Sequence, residues 1–149
     1  RVMSLRDGLK KMSKSDPSDY SRIMLSDSED EIVKKIKKAK TDPLPLPDNL
    51  DDAKNRPEAI NLLTIYAALS DQEIGTVIAE YGGKEFSQFK NDLGELASAK
   101  LSPISVEMNK LMKDENYLDS VIIKGKERAI NVADPVLNKI YEIIGLFRG

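Results

Sequence analysis

Cysteine and histidine are both absent from this chain of 149 residues. Without cysteine there are no disulfides, no thiolate metal sites and no thiol nucleophile. Without histidine there is no imidazole base, and the commonest zinc ligand is gone. Long apolar runs are missing as well: no stretch is long enough to cross a bilayer, and no signal peptide opens the sequence. Nor does a Gly-rich phosphate loop open a helix. Any chemistry here must run on Lys, Arg, Ser, Asp, Glu and Tyr. These absences lead us to expect a soluble cytoplasmic protein that does not associate with membranes, with an organellar form left open, and they assign no metal-ligating residue.

What is present suffices for one main core, since 40% of the residues are hydrophobic and 32% charged, a balance that is neither disordered nor membrane-spanning. Basic and acidic residues number 23 and 25, a net charge of -2, so any surface for a polyanion must be a local patch.

The most informative segment is Lys11-Met12-Ser13-Lys14-Ser15, which sets two ammonium groups and two hydroxyls on a loop with almost no apolar anchor. Before it, Arg1-Val2-Met3-Ser4-Leu5 reads as a short strand, and Arg6-Asp7-Gly8 reads as a turn with a hinge-like glycine. Taken alone, the five residues fit either a loop that grips phosphates or a solvated basic turn.

Downstream the sequence becomes a succession of helices. Ser28-x-x-Glu31 is a capping box, acids crowd the first turn and lysines the last, and Ile32, Val33, Ile36 and Ala39 share a face, so residues 28–40 are expected to be helical. Thr41-Asp42-Pro43 stops that helix, and Leu44-Pro45-Leu46-Pro47 reads as an extended loop. A helix apolar around much of its girth starts near Pro57. Ser70-x-x-Glu73 reads as a second capping box opening a short helix that Gly82-Gly83 ends. A longer segment, about 87–113, should kink or break at Pro103. The last, 117–144, should bury Leu118, Val121, Ile122, Ala129, Val132, Ala133, Val136, Leu137, Ile140 and Ile144 before stopping at Gly145. Tyr66 and Tyr81 lie beside apolar positions and read as core. The expected class is mainly α, a helical bundle that follows a strand and a cationic loop.

Lys-Met-Ser-Lys-Ser with the flanking residues 1–5, Lys10 and Asp16-Pro17 resembles the signature loop of class I aminoacyl-tRNA synthetases, and of the tryptophanyl branch most closely. Arg56-Pro57, Asn61-Leu62-Leu63, Ile65-Tyr66, Gly82-Gly83-Lys84, Phe86, Phe89-Lys90 and Gly125-x-x-Arg128-Ala129 resemble the helical domain of the same family in order and spacing. The resemblance covers essentially the whole chain.

That resemblance implies a division into residues 1–20, the end of a Rossmann-type catalytic domain with its signature loop, and residues 21–149, an α-helical anticodon-binding domain. It implies ATP and magnesium as reaction partners, with Lys11 and Lys14 as catalytic cations on the leaving phosphates. Val2, Lys11, Met12, Ser13, Lys14 and Ser15 become ATP-binding residues. Lys40, Thr41 and Asp42 become contacts to tRNA(Trp), with the other lysines of residues 34–40 giving general attraction. Tryptophan activation is the implied reaction, in a homodimer whose interface lies on a catalytic domain outside this chain, so the chain is expected to be a C-terminal portion inactive alone. One departure is Asp7-Gly8-Leu9 where relatives usually carry Asp-Pro-Thr, which should loosen the loop. Lys10 reads as a solvated neighbour. The alternatives are a tyrosyl enzyme and a stand-alone helical RNA-binding module; both loop lysines between small polar residues favour the ligase.

Overall fold

In the computed structural model, which describes residues 1–147, the chain opens with a hairpin and not with a single strand. Strand β1 (Met3–Ser4) pairs antiparallel with β2 (Asp7–Lys11), with an irregularity in register between Met3 and Ser4. A 3-10 turn follows at Asp19–Ser21, then six helices: α1 (Glu29–Lys37), α2 (Leu50–Lys54), α3 (Pro57–Ser70), α4 (Ile74–Tyr81), α5 (Phe86–Met112) and α6 (Glu115–Ile144). The chain divides into two compact units, Arg1–Glu107 and Met108–Gly149. The mainly helical class expected from the sequence is the one found.

The expected turn at Arg6-Asp7-Gly8 is corrected by the hairpin. Asp7 and Gly8 belong to β2, and Gly8 does not adopt a positive φ. Glycine is needed there for space: a Cβ would stand 2.4 Å from the carbonyl carbon and oxygen of Pro57, in the first turn of α3. The Asp7-Gly8-Leu9 departure therefore lies within the hairpin, where Gly8 lets β2 approach the start of α3.

Helix α1 carries the capping box foreseen, with the Glu31 amide donating to Ser28 Oγ at 3.4 Å and the Ser28 amide donating to Glu31 Oε2 at 2.8 Å. Its inward face holds Ile32 and Ile36, but Lys35 is buried beside them, so the lysines do not all lie on the wet side. The C-terminal end is closed by two cations: Arg6 Nη1 donates to the Lys38 carbonyl and Lys90 Nζ to the Ala39 carbonyl, each at 2.7 Å. Positive charge at carbonyls that lack helical partners is favourable.

Helix α3 starts with proline in its first turn and buries Ala59, Asn61, Leu62, Leu63, Ile65 and Ala67, as a central helix must. Each large apolar side chain so buried contributes about 1.5–3 kcal/mol. Around it pack Leu5 from the hairpin, Ile32 and Ile36 from α1, Leu46 from the extended loop, Val77 and Ile78 from α4, and Phe89 and Leu93 from α5. Tyr66, Tyr81 and Phe89 form an aromatic cluster with ring centroids 4.9–5.5 Å apart, which places both tyrosines in the core as expected.

Three further expectations are revised. Ser70 does not open α4: it is the last residue of α3, its hydroxyl donates to the Ala67 carbonyl, Asp71 closes that helix at φ 57°, and Glu73 precedes α4 with no side-chain cap. Hydroxyl bonding back to a preceding carbonyl competes with capping forward. Of the kink or break expected at Pro103, the break does not occur: losing one donor leaves the hydrogen bonds on either side to carry the helix. Helix α6 keeps its foreseen stop at Gly145, φ 70°, but has no buried residue: Val132 is 74% exposed and Ile122 67%. An amphipathic pattern becomes burial only against a second element, and within its own unit a single long helix has no interior.

Candidate functional site

The signature segment starts at the last residue of β2 and leaves the hairpin at Met12, whose amide donates to the Val2 carbonyl at 3.3 Å. Met12 is partly buried against the core and shares with Val2, Ile23, Leu25, Ile65, Leu69 and Leu101 the lining of an apolar recess of about 230 Å³. Beyond it the backbone folds on its own small polar side chains. The Asp16 amide donates to the Ser13 carbonyl at 3.3 Å, the Ser15 amide to Ser13 Oγ at 3.3 Å, and the Ser18 amide to Asp16 Oδ1 at 2.8 Å. Serine and aspartate are suited to such local turns because their short side chains imitate a backbone acceptor.

Lys11, Lys14 and Ser15 are exposed, Met12 and Ser13 half-buried, and Val2 44% exposed. Among the described residues neither Lys11 nor Lys14 forms an ion pair, whereas Lys10 reaches Asp7 Oδ2 at 3.6 Å. The structure thus brings together Val2 and Met12 on an apolar wall, and leaves two unneutralised ammonium groups on a short polar loop beside it.

Past the loop, Arg22 Nη1 donates to the Asp16 carbonyl at 2.8 Å and to the Ser18 carbonyl at 3.3 Å. Arg22 Nη2 meets Asp19 Oδ1 at 3.3 Å, Asp19 Oδ2 meets Lys35 Nζ at 2.8 Å, and Lys35 meets Asp27 Oδ2 at 2.7 Å. The Lys35 hydrogen bond holds the Asp19 carboxyl below its ordinary value against the opposing effect of desolvation. Burial works to lower the Lys35 ammonium, and its bonds to Asp19 and Asp27 outweigh that and raise it.

The second group of candidates lies after α1. The Lys40 amide donates to the Leu5 carbonyl at 2.7 Å, and Lys40 Nζ pairs with Glu58 at 2.8 Å, which raises the Lys40 ammonium above its ordinary value. Thr41 Oγ1 accepts from Lys90 Nζ at 3.1 Å. Asp42 accepts twice from Arg56, at 2.6 and 3.0 Å, and once from the Leu44 amide at 2.9 Å. Of the three, Lys40 presents the most open side chain, 57% exposed against 29% for Asp42. The segment 40–42 is a fixed corner whose backbone is tied to the same hairpin that feeds the signature loop.

Sequence reasoning missed Arg22, Asp19, Asp27 and Lys35 as parts of this frame. For Lys35 a signal existed: it falls three residues after Ile32, on the apolar stripe, where a charge is expected only with a buried partner.

The description of the family model that matches residues 1–102 is "tRNA synthetases class I (W and Y)". The chain is 54% identical over 148 residues to a tryptophan–tRNA ligase of Agrobacterium fabrum, and 55% identical over 148 residues to one of Rhizobium meliloti. Each match covers 99% of this chain and 42% of the relative, so the chain spans less than half the length of those proteins. Among solved structures, tryptophanyl-tRNA synthetase from Mycoplasma pneumoniae superposes with a TM-score of 0.76 at 28% identity, covering 99% of this chain and 44% of that one. With the signature loop, the helical framework and the family match in agreement, the chain belongs to the class I tRNA synthetases for tryptophan and tyrosine.

Proposed function

We propose that this chain is the C-terminal portion of a tryptophan–tRNA ligase, supplying the phosphate-gripping loop and the helices that meet tRNA. In the reaction the tryptophan carboxylate attacks the α-phosphate of ATP and pyrophosphate leaves, so negative charge grows on the departing oxygens. Lys11, at the end of β2, and Lys14, on the loop that folds down, act there: two unpaired ammonium groups give electrostatic stabilisation where the charge develops. Ser13 and Ser15 donate to phosphate oxygens, and Val2 with Met12 forms the apolar side against which adenine lies. Magnesium supplies further charge neutralisation when bound with ATP. The loop's donor set of ammonium and hydroxyl groups suits the anionic phosphates and not a cation, so no residue of this chain is proposed as a ligand to the metal.

Lys40, Thr41 and Asp42 are proposed to meet the anticodon of tRNA(Trp). The Lys40 side chain, exposed although paired with Glu58, serves a phosphate by exchanging that partner, while the bonds to Arg56 and Lys90 fix the corner in shape. Residues 1–20 are read as the end of the catalytic domain and 21–149 as the tRNA-binding portion.

The observation that carries this reading is the pair of loop lysines with no carboxylate partner. The test is amino-acid-dependent pyrophosphate exchange by the whole protein, comparing tryptophan with tyrosine. Exchange with tryptophan that falls about 100-fold in Lys14→Ala is expected, the scale of removing one preorganised charge-stabilising donor. Exchange with tyrosine alone would make the protein the tyrosyl enzyme, and none with either would leave a helical RNA-binding module.

A further inference from the structure

The signature loop has two roots, and they are held by different means. Upstream, Lys11 ends a strand, and Met12 is tied to Val2 and partly buried. Downstream there is no strand or helix until the 3-10 turn at Asp19, yet two carbonyls of that stretch, Asp16 and Ser18, converge on one nitrogen of Arg22. Between the roots only Ser13, Lys14 and Ser15 are left, and two of them are exposed.

Arg22 is itself aimed by an ion chain. Its other terminal nitrogen is taken by Asp19, whose second oxygen is taken by Lys35 from α1, which is anchored in turn by Asp27. Lys35 is 4% exposed and Asp27 9%, so that half of the chain is built into the core. Asp19 is 62% exposed and is the one member that joins the buried half to the guanidinium. Asp27 also accepts from the Met24 amide at 2.8 Å, so the buried half stays paired without Asp19.

We infer that Arg22 is a positioning residue for Lys14: aimed by Asp19 and Lys35, it fixes the Asp16–Ser18 root so that the loop swings on Ser13–Ser15 alone and delivers the ammonium to one place. A loop anchored at both ends has few arrangements to lose on closing, and a catalytic group displaced by an ångström loses much of its effect. The guanidinium suits this work because its planar fork holds two terminal nitrogens in fixed geometry, one facing the carbonyls and the other the carboxylate.

This inference rests on the ligase reading, so the experiment separates the two. In the whole protein, pyrophosphate exchange with tryptophan is measured for wild type, Lys14→Ala, Asp19→Asn, Arg22→Lys and the double variant Asp19→Asn/Lys14→Ala, with KM values and melting temperatures. Asp19→Asn is expected to lower kcat about 10-fold, and Arg22→Lys by more, with KM for tryptophan and melting temperature held. In the Lys14→Ala background Asp19→Asn is expected to change little, because the group being positioned is gone. The backbone amides of residues 13–16 and 18 should exchange hydrogen faster in both single variants. Wild-type exchange that depends on Lys14 but not on Asp19 or Arg22 overturns the inference and leaves the ligase reading standing. The same holds for an undiminished Asp19→Asn effect in the Lys14→Ala background, or for one that comes with a matching loss of melting temperature, since either marks a merely structural role. If the wild type shows no exchange, both readings fall together.

Discussion

The side-chain amide of Asn61 pairs with the backbone of Met3 as a neighbouring strand would, accepting from its N–H at 2.9 Å and donating to its carbonyl at 3.0 Å. A two-stranded hairpin is marginal by itself, and here a helix lends it a third partner. Asn61 is 4% exposed, so its substitution strands groups that water cannot reach.

Asn61→Leu keeps the volume and removes the pairing. Each stranded buried group costs about 1–3 kcal/mol, so a loss of roughly 3 kcal/mol is expected in urea unfolding. Asn61→Asp is the informative companion: it can still accept from Met3 but cannot donate to the carbonyl, and it should be at least as damaging. A loss below 1 kcal/mol for both would show that the hairpin is held by Leu5 and Gly8 packing alone.

Two glycines make opposite predictions. Gly8→Ala drives a methyl into the Pro57 carbonyl, where backbone must shift, and is expected to cost about 1–3 kcal/mol. Gly75 lies in α4 with nothing within 4 Å of a built Cβ and without a positive φ, so Gly75→Ala should stabilise by about 0.4–1 kcal/mol. Denaturant midpoints for the pair check both signs.

Most local signals hold because they depend on neighbours: the Ser28–Glu31 box, Pro57 at a helix start and Gly145 at a helix stop are all where expected, and the Ser70–Glu73 box is the exception, its hydroxyl bonding backward to Ala67. Statements that depended on distant partners fared worse. Gly8 suggests a hinge from its neighbours alone, because its constraint, Pro57, lies on a distant helix. The apolar members of α6 were expected to be buried because periodicity shows a face but not what meets it. At the site, the cationic loop was legible in five residues. Of its frame only Lys35, on the apolar stripe of α1, carries a signal; Arg22, Asp19 and Asp27 are ordinary surface types until the fold joins them.

Acid should loosen the 40–42 corner. Burial works against the Asp42 carboxylate and is the largest single influence on it, but the Arg56 hydrogen bonds, the Leu44 amide and the Arg56 charge together hold it below its ordinary value of 3.8. A carboxyl that binds its proton less readily when folded stabilises fully above the unfolded value and loses that contribution as pH falls through the lower folded one. The stability gap between wild type and Asp42→Asn should therefore be constant above about pH 5 and shrink below 3.8. A gap that does not change with pH would mean the carboxylate acts only as a neutral acceptor.

Pro103 is exposed inside α5, where it denies the Ala99 carbonyl a donor without ending the helix. Pro103→Ala restores that donor and leaves no cavity, so it is expected to stabilise by about 1–3 kcal/mol and to raise the helical circular dichroism slightly. The competing effect is packing: Ser102 and Ser105 are buried on either side of the proline, and Ser105 Oγ already bonds back to the Ser102 carbonyl at 3.0 Å. That bond does not reach the Ala99 carbonyl, so nothing in it replaces the donor that the substitution restores. Because it survives the substitution, the gain should appear undiminished in the urea midpoint. A fall in the midpoint would instead show that the packing of Ser102, Ser105 and Leu101 depends on the backbone shape that the proline sets.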